Sequence, residues 1–106
     1  MADRIRQVDW AESATSALDE VVTYIHKTSP QNARLILTDA LAAAASLMQF
    51  AERGRLVPER INPETRELLV RGFRLMYKVT ETRVTVVAFI RSRRAYPPVR
   101  TDGDAS

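Results

Sequence analysis

Four residues in the second half of the chain have types that could cleave RNA without a metal. Glu59 could take the proton of a 2′-hydroxyl and Arg74 could clamp the attacked phosphate. Tyr96, or a nearby arginine such as Arg91, could assist the leaving oxygen. Such a cleavage needs a base, cations that stabilise the phosphorane, and an acid. The competing reading makes Glu59 a loop carboxylate paired with an exposed arginine, and residue types alone favour that one.

The surrounding residues suggest a broader cationic surface. Arg74 and Lys78 alternate on one predicted strand, Arg91 lies on its neighbour, and Arg53, Arg55, Arg93 and Arg94 flank the pair. Guanidinium groups bind phosphate oxygens bidentately, and Phe89 or Tyr96 could stack on a base. Equally, arginines beside strands keep sheet edges soluble. The charge is unevenly spread. Residues 1–52 hold four basic and seven acidic side chains, whereas residues 53–100 hold twelve basic and four acidic ones, eleven of the twelve being arginine. A formal net charge of +3 therefore covers a strongly basic second half, which points to an anionic partner: nucleic acid, a phosphate-bearing surface or an acidic protein.

Several classes of chemistry are disfavoured. There is no cysteine, hence no thiolate nucleophile, disulfide or zinc–thiolate site. The one histidine, His26, makes a Ser-His-Asp triad or a histidine-rich metal centre a poor fit, so no metal or cofactor is expected. His26 is expected to favour the end of a helix, Trp10 and Tyr24 to pack in the core or against a helix, and Asp19-Glu20 to lie on a solvated helix face. The N-terminus lacks a signal-like apolar core, and the apolar stretch from Leu35 to Ala51 is broken by Thr38, Asp39, Ser46 and Gln49. The expectation is a cytoplasmic protein without membrane association.

With 106 residues the chain is expected to form one domain over 1–96, followed by a polar tail at 97–106. Alternation from Arg4 to Asp9 suggests a short first strand. Asp9 and Glu12 have capping-box spacing, predicting a helix from Trp10 to Lys27. Ser29-Pro30 predicts a second helix start, and Gly54 its end, giving an antiparallel helical hairpin. Residues 53–65 read as a loop. Three runs rich in β-branched and aromatic residues follow, at Arg66–Val70, Phe73–Thr80 and Arg83–Ile90, separated by Arg71-Gly72 and Glu81-Thr82: an antiparallel meander. Two-residue turns place Phe73, Leu75, Tyr77 and Val79 on one face with Val84, Val86, Ala88 and Ile90, joined by Leu68 and Val70. The opposite face carries Glu67, Arg74, Met76, Lys78, Thr85, Phe89 and Arg91.

Taken in order, these segments resemble the RelE/ParE superfamily, the toxins of type II toxin–antitoxin modules. The resemblance rests on Trp10-Ala11, Tyr24-Ile25, Ser29-Pro30 with Ala33, Gly54-Arg55, Val57-Pro58-Glu59, Arg66-Glu67-Leu68, Phe73-Arg74 with Tyr77, and a last strand ending in Arg91 and Arg94. It covers residues 4 to 94, and its most specific part is Gly-Arg-x-Val-Pro-Glu followed by Arg-Glu-Leu and the Arg-x-x-Tyr strand.

The resemblance implies an α+β fold in which an N-terminal strand and an antiparallel helical hairpin pack on one face of an antiparallel sheet of about four strands. It implies a cognate antitoxin whose acidic segment covers the working surface, with operator DNA contacted mainly through the antitoxin. Members of the RelE branch cleave messenger RNA on the ribosome, whereas ParE-like members poison DNA gyrase. Under the nuclease pattern Arg74 matches the phosphate-binding arginine, Glu59 a general base and Tyr96 a helper. Arg91 stands where many members have histidine, and arginine is a poor proton shuttle. This favours the ParE or plasmid-stabilisation branch. The alternatives are a ribosome-dependent endoribonuclease and an inactive peptide- or nucleic-acid-binding module.

Overall fold

The computed structural model describes residues 5–57 and 64–92. Five strands and two helices appear in the order β1 (Gln7–Trp10), α1 (Glu12–His26), α2 (Pro30–Ser46), β2 (Arg55–Leu56), β3 (Thr65–Val70), β4 (Phe73–Val79) and β5 (Arg83–Arg91). They form one sheet in the order β1-β5-β4-β3-β2, with the hairpin packed on one face. The α+β fold is as expected, with two refinements. Among the described residues the sheet has five strands rather than about four, and it is mixed, because β1 runs parallel to β5.

The helices begin for different reasons. Ser29 caps α2: its hydroxyl accepts from the Asn32 backbone N–H at 3.1 Å, and Pro30 needs no partner at the first position. The predicted Asp9–Glu12 capping box does not form. Ala11 N–H donates to the Val86 carbonyl at 2.8 Å, so the sheet holds the chain extended through Ala11 and α1 starts at Glu12. Asp9 and Trp10 therefore belong to β1, where the Asp9 carboxylate pairs with Arg83 on the neighbouring strand. Nor does α2 reach Gly54. It stops at Ser46, whose hydroxyl donates to the Ala43 carbonyl, and a turn follows whose Met48 carbonyl accepts from Arg6 N–H. The segment expected to be all loop contains the short edge strand β2.

Small residues let the layers approach closely. Ala14 and Leu18 of α1 and Ile36, Ala40 and Ala44 of α2 are buried against Leu75, Tyr77, Val84, Val86 and Phe89 of the sheet. Trp10 packs half-buried against this core, whereas Tyr24, expected to pack in the core or against a helix, is 72% exposed. His26 lies in the last turn of α1 and Asp19-Glu20 on an exposed part of that helix, both as expected. Among the described residues no helix is long and apolar enough to cross a membrane.

The β3–β4 connection is the predicted two-residue turn. Arg71 and Gly72 both take positive φ, 48° and 88°, the combination that matches hairpin twist. The register of β4 against β5 departs from expectation halfway along. Met76 pairs with Ala88 but Tyr77 with Val86, leaving Val87 as the extra residue of a β-bulge. Val84 and Val86 face the core as predicted. Beyond the bulge the alternation reverses, so Phe89 turns inward and Ile90 outward. Phe89 is 1% exposed and stacks on Phe73 with ring centroids 5.0 Å apart.

Tyr77 ties the core to the edge. It is fully buried, and its hydroxyl accepts from Gly54 N–H at 2.9 Å. Burial raises its pKa above 10.0, against the lowering effect of that hydrogen bond and of Arg66 and Arg53. A raised value in the folded state means that the stabilisation is complete below about pH 10 and is lost as pH climbs through the folded value. Tyr77→Phe should cost about 1–2 kcal/mol near neutrality. Urea titrations across alkaline pH should show a smaller stability loss above pH 10 for the variant than for the wild type.

Candidate functional site

The outward face of the sheet is organised around one carboxylate. β3 directs Glu67 away from the helices, directly opposite Arg55 of β2 and Met76 of β4. Arg74 leaves the same face of β4 opposite Leu69, one diagonal step away. Glu67 Oε2 accepts from Arg55 Nε at 2.7 Å, and Glu67 Oε1 accepts from Arg74 Nε at 2.6 Å. The Glu67 side chain is wholly buried and that of Arg74 is 10% exposed, while the Arg55 side chain is 54% exposed. Charge-assisted bonds of this length are the strong kind, and a buried carboxylate requires them.

A second knot holds the edge of the sheet. Arg66 donates to the Gly54 carbonyl at 2.7 Å, while Gly54 N–H donates to Tyr77. A Cβ at Gly54 would sit 2.5 Å from the Tyr77 hydroxyl and 2.6 Å from the Glu67 carbonyl oxygen, so only glycine fits. Gly54, Arg55, Arg66, Glu67, Arg74 and Tyr77 are thus one connected arrangement: they tie β2 to β3 and β4.

The sequence candidates divide accordingly. Arg55 and Arg74 meet through Glu67. Lys78 is exposed on the same face, opposite Thr65 and Thr85. Arg53 is exposed at the end of the hairpin, donating to Ser46 Oγ at 2.7 Å. Phe89, expected to stack on a base, is instead a core residue, because the bulge reverses its orientation. The same reversal moves Arg91. It pairs with Phe73 on the helix side, and its guanidinium carbon lies 5.1 Å from the centre of the Phe73 ring. Arg74 and Arg91, expected as partners on one surface, therefore occupy opposite faces of the sheet. Glu59, Arg93, Arg94 and Tyr96 lie outside the described residues, as does the 97–106 tail.

Two features are not evident from the sequence pattern. Glu67 appears there on the outward face and within the Arg-Glu-Leu motif, with no interaction assigned to it; the signal is an acid set between cationic neighbours on adjacent strands. Arg71 appears only as a turn residue, yet its Nε donates to Asp39 of α2 and its side chain helps line a cavity of about 280 Å³ with Ile25, Asn32, Ile36, Phe73 and Arg91. Among the described residues no group of three or more metal-ligating side chains converges.

A family model described as the ParE toxin of type II toxin–antitoxin systems, parDE, matches residues 8–96. Among solved structures, one from the chromosomal ParDE toxin–antitoxin system of P. aeruginosa superposes with a TM-score of 0.71 at 20% identity, covering 84% of this chain and 98% of that one. Another, from the RelBE2 toxin–antitoxin complex of Mycobacterium tuberculosis, gives a TM-score of 0.56 at 17% identity over 86% and 95% of the two chains. No curated protein matches by sequence.

The Glu67 cluster predicts an asymmetric response to substitution. Glu67→Gln strips a buried guanidinium of its counter-charge and should cost about 3 kcal/mol or more. Arg55→Ala removes the half-exposed partner, lets water reach Glu67 Oε2 and should cost less, about 1–2 kcal/mol. Urea denaturation of both variants measures the difference. Equal losses would show that Glu67 is not the centre of the cluster.

Proposed function

The chain belongs to the ParE toxin family of type II toxin–antitoxin systems, and we propose that the free protein inhibits growth by poisoning DNA gyrase and is neutralised by an acidic segment of a cognate antitoxin. The observation that carries the gyrase reading is the separation of the two strand arginines. A metal-free nuclease needs its phosphate clamp and its second cation on one surface. Here Arg74 donates its Nε to a buried carboxylate on one face, while Arg91 stands over Phe73 on the other. Both arginines are better explained by architecture and partner binding than by cleavage. The antitoxin reading draws on the two structural neighbours, which come from toxin–antitoxin systems, and on the basic second half of this chain, which suits an acidic partner. On this reading, operator DNA is contacted mainly through the antitoxin.

Three of the proposed target contacts, Arg53, Arg55 and Lys78, are exposed on or beside the outward face. Arg93 and Arg94 extend the same proposal beyond the described residues.

Expression of the chain alone should arrest growth, and co-expression with its cognate antitoxin, expected as a short acidic reading frame beside its gene, should restore it. The purified protein should convert supercoiled plasmid to linear DNA in the presence of gyrase while leaving translated messenger RNA intact. Cleaved transcripts with unaffected gyrase would reverse the assignment in favour of the ribosome-dependent endoribonuclease.

A further inference from the structure

The cavity on the helix side of the sheet has a composition that neither the core nor the outward face explains. Its floor is apolar: Ile25 from the end of α1, Ile36 from α2, and Phe73. Its rim carries two guanidinium groups, Arg71 from the β3–β4 turn and Arg91 from the end of β5, together with Asn32 from the first turn of α2. The two arginines are fixed from different directions. Arg71 sits in a left-handed turn conformation and is tied to Asp39; Arg91 is held over the Phe73 ring, and Ser92 N–H donates to the Gly72 carbonyl, closing the strand end onto the turn. Asp39 offsets one of the two positive charges and leaves the rim cationic. Among the described residues no carboxylate forms an ion pair with Arg91. The first turn of α2, which would favour an anion, contains no acidic residue.

We propose that this pocket binds one acidic side chain of the antitoxin, its carboxylate on Arg91 and Arg71 and a neighbouring aliphatic group on Ile25, Ile36 and Phe73. The inference rests on the toxin–antitoxin reading above and adds where the partner's charge is read. A cavity of about 280 Å³ admits a side chain and its neighbour, not a folded domain. Its apolar floor distinguishes an amphipathic peptide from bare phosphate, for which Ile25 and Ile36 would offer nothing. Arginine also suits this role, because a planar donor fork over an aromatic ring is pre-organised for a carboxylate.

The test is a calorimetric titration with the purified cognate antitoxin, the acidic protein that relieves the growth arrest on co-expression. Arg91→Gln should weaken binding about tenfold to a hundredfold, the range expected for a lost charge-assisted hydrogen bond. Arg71→Gln should weaken it by a smaller factor. Arg34→Gln should change it less than threefold, because Arg34 lies two residues from both Asn32 and Ile36 and so on the opposite side of α2. Arg91→Glu should be rescued by lysine at one acidic position of the antitoxin. Circular dichroism verifies folding. If Arg91→Gln is destabilised, the exposed Arg71→Gln and the Arg91→Glu rescue carry the test. A wild-type complex indifferent to both Arg91 and Arg71 would overturn the pocket assignment alone. Failure of the wild type to bind at all would remove the partner reading and the pocket with it. Saturable competition by inorganic phosphate, with no antitoxin acid mattering, would also overturn the proposal.

Discussion

The architecture depends on a carboxylate placed where a carboxylate should not be. Glu67 has no exposed side-chain surface, and an unpaired ion there would be prohibitively costly. It is tolerated because a guanidinium reaches each oxygen, from β2 on one side and β4 on the other. Those bonds give a two-residue edge strand an anchor that its short ladder could not supply. They also determine the role of Arg74. A side chain held at 2.6 Å to a buried partner is a structural cation, positioned by the sheet and in turn positioning it. Glycine at 54 belongs to the same constraint, since the backbone must pass within contact distance of both Tyr77 and the β3 main chain.

The second determinant is one extra residue. Without the bulge at Val87, the outward face would carry Phe89 and Arg91 beside Arg74, an aromatic and two cations suited to nucleic acid. With it, Phe89 completes an aromatic stack in the core, and Arg91 closes a pocket against the hairpin. A single insertion in the pairing thus redistributes the charge of the sheet between its faces. The region that looks like one basic surface in sequence is two: an outward face around Glu67 and Lys78, and a rim around Arg71 and Arg91.

Much of this is legible from residue pattern because local signals and burial agree. The Ser29-Pro30 start, the Arg71-Gly72 turn, and the inward alternation of Phe73, Leu75, Tyr77, Val84 and Val86 all appear as expected. The failures have physical causes. Asp9 looks like a helix cap because capping is a local signal, whereas its pairing with Arg83 on a distant strand is not. Gly54 looks like a helix terminator, but its smallness answers a close approach by Tyr77 from β4. No residue type marks the bulge, which arises from the fit of β5 to its neighbour and the core. The motif residues are recognisable as a set, yet the network that they share around β2 needs the strand order.

The arginine network also changes what the basic second half can do. Arg55, Arg71, Arg74 and Arg83 each donate to a carboxylate, and Arg66 donates to backbone carbonyls. A guanidinium engaged in this way keeps its charge and still contributes to the field beyond the surface, which reaches about 8 Å at physiological ionic strength. In Arg55, Arg71 and Arg74 the bond is made by Nε, one of five N–H donors, so it fixes how the remaining fork is aimed. Long-range attraction therefore survives, and each fork is oriented by its own carboxylate. That combination suits capture of an acidic protein segment, where field strength sets the encounter rate and a few placed contacts set specificity.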